Sequence, residues 1–272
     1  MPLTVTTDPD EIVALVEPLL AADPVRNTVI SSVIAGLRGE DAAGWCAHRS
    51  GDASVLAVRS QRHTPVHVSA GWDDLAPLAD ALAALASMTA VGGPVLAVQS
   101  LVSALEARGL VVAARIAERL FRLDDLAAPA DVPGAPRLAS LEDLTLYTDW
   151  YEAFLMEAFG RLPDGFDRAR LVEPGGLRSR AWLWIDGTGA ACSMAVRQPA
   201  AFGVSRIGPV YTPPELRGRG YGAAATAAAT RDVLGDGAVP VLYTDLANAT
   251  SNKIYQRLGY YPVEDRAHVA FS

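Results

Sequence analysis

The chain has 272 residues, of which 50% are hydrophobic and 20% charged, with a net charge of −8 and a pI of about 5.0. That balance fits two compact domains of moderate size. It excludes the basic footprint of a nucleic-acid binder and any strong attraction to anionic membrane surfaces. Met1 to Val5 has neither the basic nor the apolar region of a signal peptide, and no apolar run reaches spanning length, so a cytoplasmic protein is expected. Cys46 and Cys192 lie far apart without metal-type spacing and read as buried thiols. His48, His63, His67 and His268 form no helical HxxxH pair, and no metal is expected.

In chain order, Leu3 to Thr7 reads as a strand, and Asp8-Pro9-Asp10 opens a helix carrying Leu15, Leu19 and Leu20. Asn27 to Leu37 reads as a second helix. Gly44 to His48 and Val55 to Arg59 read as strands around a Gly51-Asp52 turn, with Val66 to Ser69 a third. Trp72 to Ala86 has helical spacing of Leu75, Leu78, Leu82 and Leu85. Val95 to Gln99 reads as a strand, Leu101 to Arg108 as a helix, and Val111 to Leu123 as partly strand. The first half is thus expected as a β-α-β-β-α-β-α-β domain over residues 1–127. Ala127 to Ala135 holds two prolines and a glycine, with a third proline directly after it at Pro136, which places a linker at 128–135.

The second domain, 136–272, restarts with a strand at Arg137 to Ala139. Ser140 with Asp143 has capping-box spacing ahead of an aromatic helix that runs to Phe159. A short helix is expected over Asp167 to Val172. Ala181 to Ile185 and Ala191 to Arg197 flank a hairpin turn at Asp186-Gly187. Val204 to Thr212 is the next strand. Arg217-Gly218-Arg219-Gly220-Tyr221-Gly222 then leads into an Ala-rich helix, Ala223 to Val233. Glycines let a ligand approach the backbone, and free N–H groups at a helix head favour an anion. The pattern points to a pyrophosphate. Val239 to Thr244 reads as a buried strand. Asn248 caps a helix from Ala249 to Leu258 that stops at Gly259, and Val263 and His268 to Phe271 close the chain.

The glycine loop fits Arg/Gln-x-x-Gly-x-Gly/Ala, and Asn248 to Tyr260 fits Asn-x-x-(Ser/Ala)-x-x-x-Tyr-x-x-x-Gly-(Phe/Tyr). Together they resemble the GNAT superfamily of N-acetyltransferases, most closely its bacterial branch with an extra N-terminal domain. The resemblance covers Pro136 to Ser272. It implies an α/β (α+β) acyl-CoA N-acyltransferase fold, with a mixed central sheet and two splayed parallel strands, Val204–Thr212 and Val239–Thr244. It implies a smaller, degenerate GNAT-like domain ahead of it; Leu105 to Val112 faintly echoes Gln256 to Tyr260. The co-substrate implied is acetyl-CoA, without a metal. Backbone groups at Val210, Tyr211 and Thr212 would meet the pantetheine and thioester. Arg217, Gly218, Arg219, Gly220, Tyr221, Gly222 and Ala223 would hold the pyrophosphate, and Asn248 and Ser251 would line the cofactor arm. Tyr255 matches the position of the general acid; its plain alternative is a core aromatic. Glu152, Glu157 and Asp245 are candidates for the base. The acceptor implied is a primary amine of a small molecule or peptide, and the protein a monomer or homodimer.

Two rivals stand beside this. Gly218 to Ala223 also satisfies G-x-G-x-x-G/A, with Asp245 about 20 residues on, as an NAD(P)-binding Rossmann oxidoreductase requires. A catalytically silent CoA-binding module is the other. The first half lacks a glycine loop and is not expected to hold a second CoA.

Overall fold

The computed structural model describes residues 2–37, 43–49, 52–62, 64–85, 88–162, 166–173 and 176–272. Met1, Gly51, His63 and Ala86, named above, lie outside them. The chain divides into two compact units of nearly equal size. One comprises Met1–Leu120, Thr244–Ala247 and Val263–Ser272; the other comprises Phe121–Tyr243 and Asn248–Pro262.

In the first unit, β1 (Leu3–Thr6) leads to α1 (Pro9–Ala22), and Asp8 caps that helix by accepting the N–H groups of Asp10 and Glu11. Then come α2 (Thr28–Gly36), β2 (Trp45–Arg49), β3 (Asp52–Arg59), β4 (Val66–Val68), α3 (Ala76–Ala83), β5 (Ala90–Pro94), α4 (Val95–Glu106) and β6 (Val112–Leu123). Strand alternation sorts the core. Cys46, Leu56 and Val58 pack with Ile12, Val16 and Leu20 of α1, whereas Ala47, Ala57 and Val68 pack with Leu78, Leu82, Leu101 and Leu105 of α3 and α4. Burial pushes the Cys46 thiol up to about 12, and both cysteines are free.

Here the expected strand Val95–Gln99 is wrong: those residues open α4, and the strand is the five residues before it. A short apolar run does not distinguish a buried strand from a buried helix. β5 is a poor strand by composition because its glycines serve close approach. A Cβ on Gly93 would lie 2.6 Å from the Val68 carbonyl oxygen, and one on Gly92 2.6 Å from the His268 ring.

The second unit runs through β7 (Ala135–Leu138), α5 (Leu144–Phe159), β8 (Val172–Glu173), β9 (Gly176–Leu177), β10 (Arg180–Ile185), β11 (Ala191–Arg197), β12 (Val204–Tyr211), α6 (Tyr221–Gly235), β13 (Val239–Asp245), α7 (Ala249–Arg257) and β14 (Tyr260–Phe271). The expected short helix at Asp167 is a 3₁₀ turn, Arg168–Leu171. Within this unit the strand order is β13-β12-β11-β10-β7. β12 is parallel to β13 and antiparallel to β11, so the sheet is mixed. Ala181 and Leu183 face Tyr147 of α5, while Trp182 and Trp184 face Ala225 and Ala229 of α6. The alanines of α6 let the helix lie close on the sheet.

The linear division expected at 128–135 differs from the contacts. That stretch packs on the second unit: Val132 joins the α6 core, the Pro133 carbonyl accepts from Trp184 Nε1 at 2.9 Å, and Gly134 lies against Ile185. The last ten residues belong to the first unit, because Arg266 to Ala270 pair antiparallel with Ala90 to Pro94. Val263 to Phe271 is accordingly one strand with Tyr260, not two. The first unit, expected to be the smaller, is nearly equal in size to the second. It also repeats the same order of elements, including a short parallel pair, β4 with β5.

The Ser140 capping box forms as expected, and Arg137 bonds both carboxylate oxygens of Asp143 at 2.8 Å. Arg137, with help from the Ser140 N–H, holds the Asp143 carboxyl down at about 2. A depressed carboxylate adds stability above its unfolded value of about 3.9, and that stability is lost as pH falls through the folded value. Arg137 is half exposed, so the pair is worth at most about 1 kcal/mol. Asp143→Asn should therefore cost up to about 1 kcal/mol in urea unfolding at pH 7, a difference that closes near pH 2.

Candidate active site

β12 and β13 begin as neighbours. Val204, Ser205 and Arg206 pair with Val239, Pro240 and Val241, and the parallel ladder ends there although β12 continues to Tyr211 and β13 to Asp245. Pro209 has no N–H to offer a ladder, and a register shift between Ala195 and Arg197 bends the β11 side. The far half of β12 thus has one strand neighbour and one open edge. This is the separation expected of the two strands.

Beyond Tyr211 the chain turns through Pro213 and a 3₁₀ turn at Pro214–Leu216 into the glycine loop. The three glycines have different causes. Gly218 and Gly220 have φ of +78° and +84°, a region costly for residues with a Cβ. Gly222 is helical, and a Cβ there would come within 3.2 Å of Thr212 Oγ1. The first intrahelical bond of α6 runs from the Ala224 N–H to the Gly220 carbonyl, so the N–H groups of Tyr221, Gly222 and Ala223 head the helix without an intrahelical acceptor. Tyr221 itself is buried in the α6 core.

Arg217 is exposed but committed. Its Nε donates to the Thr212 carbonyl at 2.9 Å and its Nη2 to Glu157 at 2.6 Å. Arg219 makes only a long contact, 3.5 Å, with the Glu215 carbonyl. Among the expected bases, Glu152 bonds Arg168 at both oxygens, which holds its carboxyl below the usual range. Glu157 is paired with Arg217. Asp245 falls in the first unit, where it accepts the Ala247 N–H at 2.7 Å. Sequence reasoning missed both ion-pair partners, since Arg168 and Arg217 are distant in the chain from the glutamates they meet.

Asn248 caps α7 by accepting the Ser251 N–H at 3.0 Å, and its carbonyl accepts from Asn252 Nδ2 at 2.8 Å. Tyr255, on the inner side of α7, is buried among Leu242, Ala227, Leu258 and Ala223, and its ring meets Tyr260 edge-on at 6.3 Å. Burial pushes its phenol up to about 12. The Tyr255 hydroxyl has no hydrogen-bond partner among the described residues, unlike Tyr260, whose hydroxyl bonds Thr230 at 2.7 Å. Tyr255 and Ala223 at the loop's end therefore share one packed cluster. Gly222 in turn touches Thr212 and Val210.

The corresponding segment of the first unit, 69–75 between β4 and α3, has a different chemistry. Asp74 Oδ1 accepts the Ala76 N–H at 2.9 Å, and Asp73 pairs with Arg49 at 2.6 Å. The head of α3 is covered by the chain's own carboxylate. Among the described residues no group of three or more His, Cys, Asp or Glu could hold a metal, and no helix is long and apolar enough to cross a membrane.

Residues 185–269 match the family model described as FR47-like protein. No curated protein matches the sequence. Among solved structures, a protein from Drosophila malonogaster superposes with a TM-score of 0.69 at 15% identity, covering 99% of this chain and 98% of its own. A tandem GNAT protein from the clavulanic acid biosynthesis pathway gives 0.63 at 17%, over 100% and 98%. A GCN5-related N-acetyltransferase from Sphaerobacter thermophilus gives 0.62 at 15%, over 98% and 95%. At these identities the likeness is one of fold, and it extends over both units. A Rossmann sheet is excluded, because β10, β11 and β12 run antiparallel in succession.

Proposed function

We propose that this chain, a member of the GNAT superfamily by its fold and its FR47-like segment, is an acyl-CoA-dependent N-acyltransferase whose donor is acetyl-CoA and whose acceptor is a primary amine. What carries the proposal is the parting of β12 from β13 after Arg206–Val241, just ahead of a helix head with bare N–H groups. The residues fit a diphosphate-bearing thioester: backbone donors line an open strand edge, and the loop glycines leave the helix head uncovered.

When bound, acetyl-CoA supplies an activated acyl carbonyl and a thiolate leaving group. The N–H groups from Gly218 to Ala223 hold the diphosphate, and Arg217 braces the loop against Thr212 and Glu157 rather than serving as its main ligand. The open edge of β12 at Val210, Tyr211 and Thr212 orients the pantetheine and the acyl carbonyl. Asn248 and Ser251 line the arm, with Asn248 also fixing the start of α7. Tyr255 holds its proton at Oη and donates it, as a hydrogen bond, toward the departing sulfur. The glutamates of α5 are spent in ion pairs, so the amine loses its proton to water.

Ligand-dependent unfolding tests this directly. Acetyl-CoA at a hundredfold excess over Kd should add about 2.7 kcal/mol, raising Tm by about 5–10 °C, while NADH leaves Tm unchanged. Stabilisation by NADH alone would overturn the donor assignment. Binding of acetyl-CoA without thiol release across a panel of amines would leave a silent CoA-binding module.

A further inference from the structure

We infer that Ser193 is a positioning residue for the acyl carbonyl, an inference that rests on the donor site just proposed. Ser193 lies in the middle of β11 and is fully buried. A hydroxyl there is costly unless bonded. Its Oγ donates to the Tyr211 carbonyl at 3.0 Å and lies 2.8 Å from Thr212 Oγ1. Ser193 has one hydroxyl proton, and the Tyr211 carbonyl takes it. The Thr212 hydroxyl must therefore be the donor in the second bond. The chain of protons runs from Thr212 Oγ1 to Ser193 Oγ to the Tyr211 carbonyl.

That chain fixes one peptide plane. The Tyr211 carbonyl and the Thr212 N–H belong to the same trans peptide and point in opposite directions. With the carbonyl held toward β11, the N–H is turned away from β11, toward the edge from which β13 has parted. Arg217 Nε holds the next carbonyl, that of Thr212, at 2.9 Å, so both sides of the N–H are restrained. No described residue accepts from the Thr212 N–H. A fixed, unspent donor on the open edge is placed to meet an acyl oxygen, and its aim depends on a hydroxyl in the core.

The test separates the acyl group from the rest of the donor by titrating acetyl-CoA and desacetyl CoA into the full chain. Ser193→Ala should weaken acetyl-CoA about fivefold, one hydrogen bond's worth, and leave CoA within twofold. Thr212→Val should do the same, and Thr212→Ser, which keeps the hydroxyl, should match wild type. If Ser193→Ala does not fold, Thr212→Val carries the same expectation from the partly exposed end of the bond. Equal losses for both ligands, or none for either, overturn the role of Ser193 and leave the donor site standing. Wild-type protein that binds neither ligand overturns the donor site and this inference with it.

Discussion

Tyr255→Phe should lower the turnover of acetyl transfer about a hundredfold while CoA affinity stays within twofold. The hydroxyl has no partner to lose among the described residues, so the unfolding free energy should move by no more than about 0.5 kcal/mol. That split between rate and stability distinguishes a catalytic phenol from a core aromatic. The raised pKa sharpens the expectation. A phenol at about 12 is a weaker acid than a thiol near 8.5, so complete transfer of its proton to sulfur is uphill. On this proposal its contribution would be a hydrogen bond to developing negative charge, which a buried donor makes well. It also stays protonated across ordinary assay conditions. The rate should rise with pH as the amine deprotonates, and the variant's profile should keep its shape at a lower height between pH 6 and 10. Wild-type turnover in the Phe variant would return Tyr255 to the core.

How much of this was legible beforehand depended on how local the cause is. Asn248, Gly259, Ser140, Gly218 and Gly220 answer to caps and left-handed turns within four residues of themselves, and a sequence states those directly. The parting strands were expected only through the resemblance that the two motifs carry. The rest has distant causes. β5 holds two glycines and a proline in five residues, and only its neighbours Val68 and His268 explain them. Pairing of Arg266 to Ala270 with Ala90 to Pro94 has no cue in either segment. Ser193 sat unremarked in an apolar run, because its partners are 18 and 19 residues away on the next strand. Register, not composition, makes it polar for a reason.

Gly259→Ala should be the most damaging single-methyl change in the second unit, destabilising it by about 3 kcal/mol or more. Gly259 has φ of +95°, which alone costs an alanine about 1–2 kcal/mol. The larger effect is contact: a Cβ at this position would lie 1.8 Å from the Asp125 carbonyl oxygen and 2.9 Å from its carbon. That oxygen belongs to backbone, so no side-chain rotation relieves the overlap. The segment also cannot drift away cheaply. The Asp124 N–H donates to the Gly259 carbonyl at 3.0 Å and the Ala127 N–H to the Leu258 carbonyl at 3.1 Å, pinning the crossing chain on both sides of the clash. Moving it would break those bonds and pull at Phe121 and Leu123, which pack with Tyr255, Leu258 and Tyr260 in one core. Activity should fall with stability here, since Tyr255 sits on α7 only four residues before the glycine. Gly218→Ala is the control. It has a similar φ, +78°, but nothing within 4 Å of the added methyl, so its cost should stop at about 1–2 kcal/mol. Urea midpoints for the pair measure the clash apart from the dihedral; equal costs would mean that the crossing backbone yields freely.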